Sequence, residues 1–253
     1  MRFKLKISYD GTNFAGWQVQ PGLETVQQAI ETAIEKTVGV KTKLHGSGRT
    51  DRGVHARGQV AHFDAQTRMT TRSMLHALNA RLPLDIRIDK VDIVDENFHA
   101  RRSATAKEYR YSVWNGPILP PHERLYALQI HRPLDLEKMR EGARRFVGEH
   151  DFVAFMANPQ RVVETTVRTI FDFDITKRGR KVTFRVRGSG FLYKQVRSMV
   201  GLLLRVGTGA EPVDLITELL DTHAARSAIV PSAPPQGLTL WRVWYDESWK
   251  KAR

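Results

Sequence analysis

Two hydrophobic periods alternate along the first third of the chain, and few folds accept that order. Phe3-Lys4-Leu5-Lys6-Ile7-Ser8-Tyr9 alternates apolar and polar residues, the period of a half-buried strand. Asp10-Gly11-Thr12-Asn13 reads as the turn that ends it. Thr25-Val26-Gln27-Gln28 has the form of a capping box, and Val26, Ile30, Ala33, Ile34 and Val38 follow at helical spacing as far as Gly39. A strand pattern follows over residues 58–65. A second helix pattern covers 71–82, with Met74, Leu75 and Leu78 on one face and Pro83 as its stop. Residues 86–93 alternate again. The order reads β-α-β-β-α-β, which predicts an α+β unit with helices on one face of a sheet.

The rest of the 253-residue chain repeats that order loosely. Strand patterns cover 109–114, 169–176 and 181–187, the last two joined by the basic turn Lys177-Arg178-Gly179-Arg180. Helix patterns cover 136–146 and 193–206, the second with Val196, Met199, Val200, Leu203 and Leu204 as one stripe. Pro212 is expected to open a short helix, and 238–245 to form the closing strand. The expected architecture is therefore two α/β halves, residues 1–105 and 106–253, sharing one mostly antiparallel sheet with a cleft between them.

Charge narrows the partner. Forty Lys and Arg stand against 27 Asp and Glu, a net of +13, which favours a polyanion. Nucleic acid is the first expectation and an anionic membrane surface the second. No stretch approaches the ~20 apolar residues of a spanning helix, and the basic start Met1–Lys6 is followed by no apolar signal core. A cytoplasmic protein is expected. There is no cysteine, no H-E-x-x-H spacing and no phosphate-loop motif, so neither a metal nor a bound nucleotide cofactor is expected.

The chemistry points to a few stretches. Gly46-Ser47-Gly48-Arg49-Thr50-Asp51-Arg52-Gly53-Val54-His55-Ala56 carries one carboxylate between two arginines, in a Gly-rich loop between a helix and a strand. Arg49 can pair with Asp51 and favour its ionised form. A fixed, ionised Asp acts as a nucleophile or a general base. The plain alternative is an ordinary charged turn. Phe98-His99-Ala100-Arg101-Arg102-Ser103 and Lys107-Glu108-Tyr109-Arg110-Tyr111 interleave basic and aromatic residues, the make-up of a surface that holds phosphates and stacks bases. Within them Arg101, Lys107 and Tyr109 are candidate substrate contacts; the plain alternative is an amphipathic strand with a wet basic face. Gly188-Ser189-Gly190 leads into the long helix that carries Arg197; such an entrance suits an anion, and the plain and commoner alternative is a solvated Arg on an amphipathic helix. Arg140, Arg144 and Arg145, with the 177–181 turn, read as electrostatic footing or as solvated faces. Ala233-Pro234-Pro235-Gln236-Gly237-Leu238 is a stiff loop that either walls a cleft or merely connects.

Taken together these stretches resemble the tRNA pseudouridine synthase A family. Gly48-Arg49-Thr50-Asp51-x-Gly53-Val54-His55-Ala56 looks like its signature, and Tyr9-Asp10-Gly11-x-x-Phe14-x-Gly16-Trp17-Gln18 like its opening strand and loop. Phe98-His99-Ala100-Arg101-x-Ser103-Ala104 with Lys107-x-Tyr109-x-Tyr111 is similar to its middle motif. His150-Asp151-Phe152, the run Phe191 to Gly201, and Ala233-Pro234-x-x-Gly237-Leu238 match further motifs, all in the family's order. Arg52 stands where the family most often has Ala, and Lys194-Gln195 where His is frequent.

The resemblance implies isomerisation of uridine to pseudouridine at tRNA positions 38–40, in the anticodon stem-loop, with no cofactor or metal. It implies a homodimer whose subunits each hold two ferredoxin-like, or RRM-like, halves around a basic cleft. By carry-over, Asp51 is the catalytic nucleophile, Tyr109 lies against the target base, Arg197 pairs with Asp51, and Arg49 helps hold the uridine out of its stack. Whether the carboxylate attacks the sugar, as in retaining glycosidases, or adds to the base stays open. Two rivals use the same features. An RNA-binding module explains the charge and aromatics but not the Asp51 loop. An N-glycosidase or nuclease shares the carboxylate, although metal-dependent nucleases gather several.

Overall fold

A computed structural model describes residues 1–157, 163–222 and 230–251. The chain divides into two compact units, residues 1–105 with 239–253, and residues 106–238. Residues 239–253 fall with the first unit. The reason is a strand pairing. The closing strand lies beside a strand of the first unit in parallel register, Thr239 opposite His55 and Leu240 opposite Ala56.

The first unit runs β1 (Arg2–Tyr9), α1 (Val26–Val38), β2 (His45–Gly46), β3 (His55–Asp64), α2 (Thr71–Asn79) and β4 (Ile86–Val94). β10 (Leu238–Trp244) completes a sheet in the order β4-β1-β3-β10, with β2 paired to β3. β4, β1 and β3 are antiparallel and β10 is parallel to β3, so the sheet is mixed and mostly antiparallel. Phe3, Leu5, Ile7 and Tyr9 point to one face of β1 and are buried, as the alternation requires. Val26, Ile30, Ala33 and Ile34 of α1, and Met74 and Leu78 of α2, supply the apolar faces of the helices. α1 starts where Thr25 accepts from the Gln28 amide and ends at Gly39 with φ +81°. α2 stops at Asn79, three residues before the expected end. The Asn79 amide leaves the helix pattern to bond both the N–H and the C=O of Ile88 on β4.

The second unit contains β5 (Ala106–Asn115), β6 (Leu128–Ile130), α3 (Leu136–Arg145), β7 (Gly148–Asp151), β8 (Val167–Arg178), β9 (Lys181–Gly188), α4 (Gln195–Gly207) and α5 (Leu215–Asp221). Its sheet order is β5-β9-β8-β7, all antiparallel, with β6 parallel to β5. One face carries the core row Tyr109, Tyr111 and Val113, opposite Val186, Phe184 and Val182. The other face carries charge: Glu108 bonds Arg110 at 2.7 Å, Arg187 bonds Asp172, and Arg185 bonds Asp174. α4 is buried on most sides, Leu202 and Val206 included, with Arg197 and Arg205 its less buried positions. It begins at Gln195, since Lys194 takes a left-handed conformation with φ +59°. α5 begins at Leu215, after a turn at 213–214, and not at Pro212.

Candidate active site

Asp51 lies half-buried in the loop between β2 and β3, and the residues around it are fastened from below. The Ser47 amide donates to the Val60 carbonyl at 2.7 Å, and the Ser47 hydroxyl to Gln59 Oε1 at 2.7 Å. Gln59 Nε2 donates to the Gly48 carbonyl at 2.9 Å. Thr50 is held twice, by the Trp17 amide on its carbonyl at 3.1 Å and by the Tyr9 hydroxyl against its Oγ1 at 2.8 Å. The Val54 amide donates to the Asp51 carbonyl at 3.1 Å and closes the turn that presents the side chain. Burial raises the Tyr9 hydroxyl well above its ordinary pKa, with the hydrogen bond to Thr50 opposing, so it stays protonated.

Two glycines let the 10–18 segment press against this loop. A Cβ on Gly11 would sit 2.0 Å from the Val54 carbonyl oxygen. One on Gly16, whose φ is +104°, would sit 2.7 Å from the Thr50 oxygen. The Gly11 amide donates to Nδ1 of the buried His55 at 3.1 Å, which ties the segment to the start of β3. Arg49 is exposed and its Nε donates to Gln18 Oε1 at 3.1 Å, a partner on the 10–18 segment that sequence spacing does not reveal.

Arg101 is exposed on the segment after β4. Its amide and that of Arg102 donate to His99 Nδ1 at 3.1 and 3.3 Å, and the Ala100 amide donates to His62 Nδ1 at 3.1 Å. The rings of His45, His62 and His99 cluster, with centroids 4.8 to 5.8 Å apart. With Nδ1 accepting in both His62 and His99, the neutral rings carry their proton on Nε2 and offer no free lone pair to a metal. Among the described residues no group of three or more His, Asp or Glu side chains is arranged to hold a metal ion. Burial pulls the His62 imidazole down to about 4, assisted by His99, Arg2 and His45 and opposed by Asp64. His99 is also lowered, by burial first and then by Arg102.

The remaining candidates belong to the second unit. Lys107 and Tyr109 are on β5, two positions apart on a strand and so on the same face. Tyr109 is buried, and its ring meets Phe191 edge-on at 5.2 Å. Arg197 is in the first turn of α4, with Nε donating to the Ala233 carbonyl at 2.7 Å and its own carbonyl accepting from the Ala233 amide at 2.9 Å. The loop 233–238 is therefore the brace of Arg197. The Tyr111 hydroxyl holds the same loop through the Pro234 carbonyl at 2.8 Å. Asp51, Arg49 and Arg101 thus belong to one unit, and Lys107, Tyr109 and Arg197 to the other.

The basic clusters divide. Arg140 pairs with Glu137, Arg145 with Glu141 and Asp214, and Lys181 with Glu123, so these charges are committed within the unit. Arg145 also lines a concavity of about 590 Å³ whose wall includes Glu141, Glu211 and Asp214, and none of the candidate site residues. Arg144, Lys177, Arg178 and Arg180 stay exposed. Sequence spacing assigns Gln59 and Tyr9 no part in the loop. The one available signal is Gln59 itself, an amide in the strand row that continues with Ala61 and Phe63.

The family model described as tRNA pseudouridine synthase matches residues 6–101 and 143–246, and so takes in the Asp51 loop, the 98–101 segment and Arg197. The chain belongs to the tRNA pseudouridine synthase family, enzymes that isomerise uridine to pseudouridine. Among its relatives, the protein named tRNA pseudouridine synthase A of Geobacter sp. (strain M21) is 44% identical over 244 residues, 96% of this chain and 98% of that protein. Its namesake of Limosilactobacillus reuteri (strain DSM 20016) is 44% identical over 255 residues, 99% of each. That of Chlamydia trachomatis serovar A is 43% identical over 244 residues, 95% of this chain and 91% of that protein.

Proposed function

We propose that this enzyme converts uridine to pseudouridine at positions 38–40 of the tRNA anticodon stem-loop, with Asp51 as the nucleophile. The observation that carries the reading is the Asp51 loop: one carboxylate, half-exposed, on a backbone whose neighbours are pinned by buried hydrogen bonds. Fixing a reacting group in place lowers the entropy cost of attack. In the sugar route the carboxylate oxygen bonds C1′ as the C1′–N1 bond breaks, its electron pair staying on uracil N1. The uracil turns, C5 bonds C1′ and displaces the carboxylate. C5 then loses its proton while N1 gains one, so atoms balance without cofactor or metal. In the base route Asp51 adds to C6 instead, with the same overall exchange.

Tyr109 is read as the ring against the target base and as the acceptor of the C5 proton. Arg197 is read as the ion-pair partner of Asp51. Arg49, Arg101 and Lys107 are read as contacts to the flipped uridine and its phosphates, which offset the few kcal/mol that flipping costs. The two units are read as ferredoxin-like halves of one basic cleft, in a cytoplasmic homodimer. The net charge of +13 supports a tRNA partner, and no helix among the described residues is long and apolar enough to cross a membrane. The test is Asp51→Asn, assayed on unmodified tRNA transcript by carbodiimide-dependent reverse-transcription stops. No product is expected, with tRNA affinity kept within about tenfold (~1.4 kcal/mol). Turnover near that of the parent enzyme would remove Asp51 from the chemistry.

A further inference from the structure

We infer that Gln59, acting through Ser47 and Gly48, and Tyr9, acting through Thr50, are positioning residues that set where Asp51 stands. The inference rests on the reading of Asp51 as the catalytic carboxylate.

Gln59 is fully buried on β3, directly opposite Ile7 and in the row of Ala61 and Phe63. An amide in such a row destabilises the fold unless its polar atoms are matched, and Val or Leu would fill the place without that demand. Here both ends of the amide are matched, chiefly by the loop. Its Oε1 accepts from the Ser47 hydroxyl at 2.7 Å and from the Val60 amide at 3.2 Å, and Nε2 donates to the Gly48 carbonyl at 2.9 Å. The Tyr9 hydroxyl, on the neighbouring strand β1, holds Thr50 Oγ1 at 2.8 Å. Residues 47 and 48 are thereby referred to Gln59 on β3 and residue 50 to Tyr9 on the adjacent β1, all within four positions of Asp51. Strands hold geometry better than loops do, so a loop residue placed this way inherits the sheet's precision.

The direction of each bond makes the role testable. Gln59→Glu keeps the shape but puts an oxygen where Nε2–H faces the Gly48 carbonyl. Ionised, that oxygen repels the carbonyl. Protonated, it donates to it again, and burial raises the pKa of the introduced carboxyl into a usable range. The expected result at pH 8 is a single-turnover rate about 100-fold below the parent, the scale of a ~1 Å misplacement, with the tRNA dissociation constant within about threefold. Relative to the parent at the same pH, the rate should recover as pH falls to 6. Gln59→Leu should be slow at every pH, without recovery.

Tyr9→Phe removes only the hydroxyl, and serves if the Gln59 variants do not fold. It should slow single turnover about tenfold at unchanged tRNA affinity. Asp51→Asn is run beside them. If it turns over normally, the assignment of Asp51 falls. If it is dead while folded Gln59→Glu, Gln59→Leu or Tyr9→Phe proteins react at the parental rate, the positioning role falls. Loss of thermal stability with an unchanged single-turnover rate would likewise make Gln59 a core residue only and overturn the inference.

Discussion

Acid should loosen the first unit through one ring. His62 is almost fully buried among His45, His99, Phe98, Arg2 and Asp64, and its imidazole sits at about 4 where an unfolded histidine titrates near 6.5. A group whose folded pKa is depressed gives stability above its unfolded pKa that is lost as pH falls. Above pH ~7 both states are neutral and the ring contributes no pH dependence. Between about 6.5 and 4 the unfolded chain binds the proton and the folded chain does not, so unfolding is favoured. With those two values the loss by pH 5 is about 2 kcal/mol. For a chain of this size that lowers the melting temperature by roughly 4–8 °C.

His62→Asn removes the titration, and its amide oxygen can take the place of Nδ1 as acceptor for the Ala100 N–H. The burial and neighbours that lower His99 remain in the variant, so their contribution cancels in the comparison. The assay is thermal unfolding of both proteins at pH 7.5 and 5.0, with the His62 ring signal followed by NMR. The parent should lose about 2 kcal/mol more than the variant over that interval. Equal losses, or a His62 signal that titrates near 6.5, would refute the reasoning.

Further outcomes follow from other parts of the molecule. Tyr109→Phe keeps the edge-on contact with Phe191 and should bind tRNA as the parent does while releasing tritium from C5 of the target uridine slowly; release at the normal rate would leave Tyr109 as a stacking platform only. Arg197→Lys keeps the charge but loses the planar fork that reaches the Ala233 carbonyl. Turnover should fall, whereas turnover at the parental rate would leave the guanidinium fork no part in the reaction. Gly11→Ala puts a methyl 2.0 Å from the Val54 oxygen and should cost about 1–3 kcal/mol of stability together with activity, as read by denaturant unfolding and product formation. Arg178 is exposed at the end of β8, so Arg178→Ala should lower the slope of log affinity against log salt by about one without changing single turnover at saturation, and an unchanged slope would exclude a phosphate contact there.

Local pattern alone was enough for most elements. β1 and β4 follow from alternation, α1 from its Thr25 cap and Gly39 stop, and α3 from its spacing, because each depends on neighbours a few residues away. The Asp51 loop was also legible, since its glycines, acid and arginines are contiguous. What lay beyond the sequence was every relation between distant segments. β2 is two residues long and has no period to detect. Asn79 ends α2 early only because Ile88 is at hand to accept and donate. Arg140 and Arg145 looked available to a polyanion until α3 placed acids one turn away and the fold brought Asp214 up beside Arg145. The parallel placement of β10 beside β3, which returns the end of the chain to the first unit, joins residues some 180 positions apart. Gln59 reads as one polar residue in a strand. Only when β3 lies under the loop does its amide meet Ser47 and Gly48, because hydrogen bonds depend on where atoms are in space and not on their order along the chain.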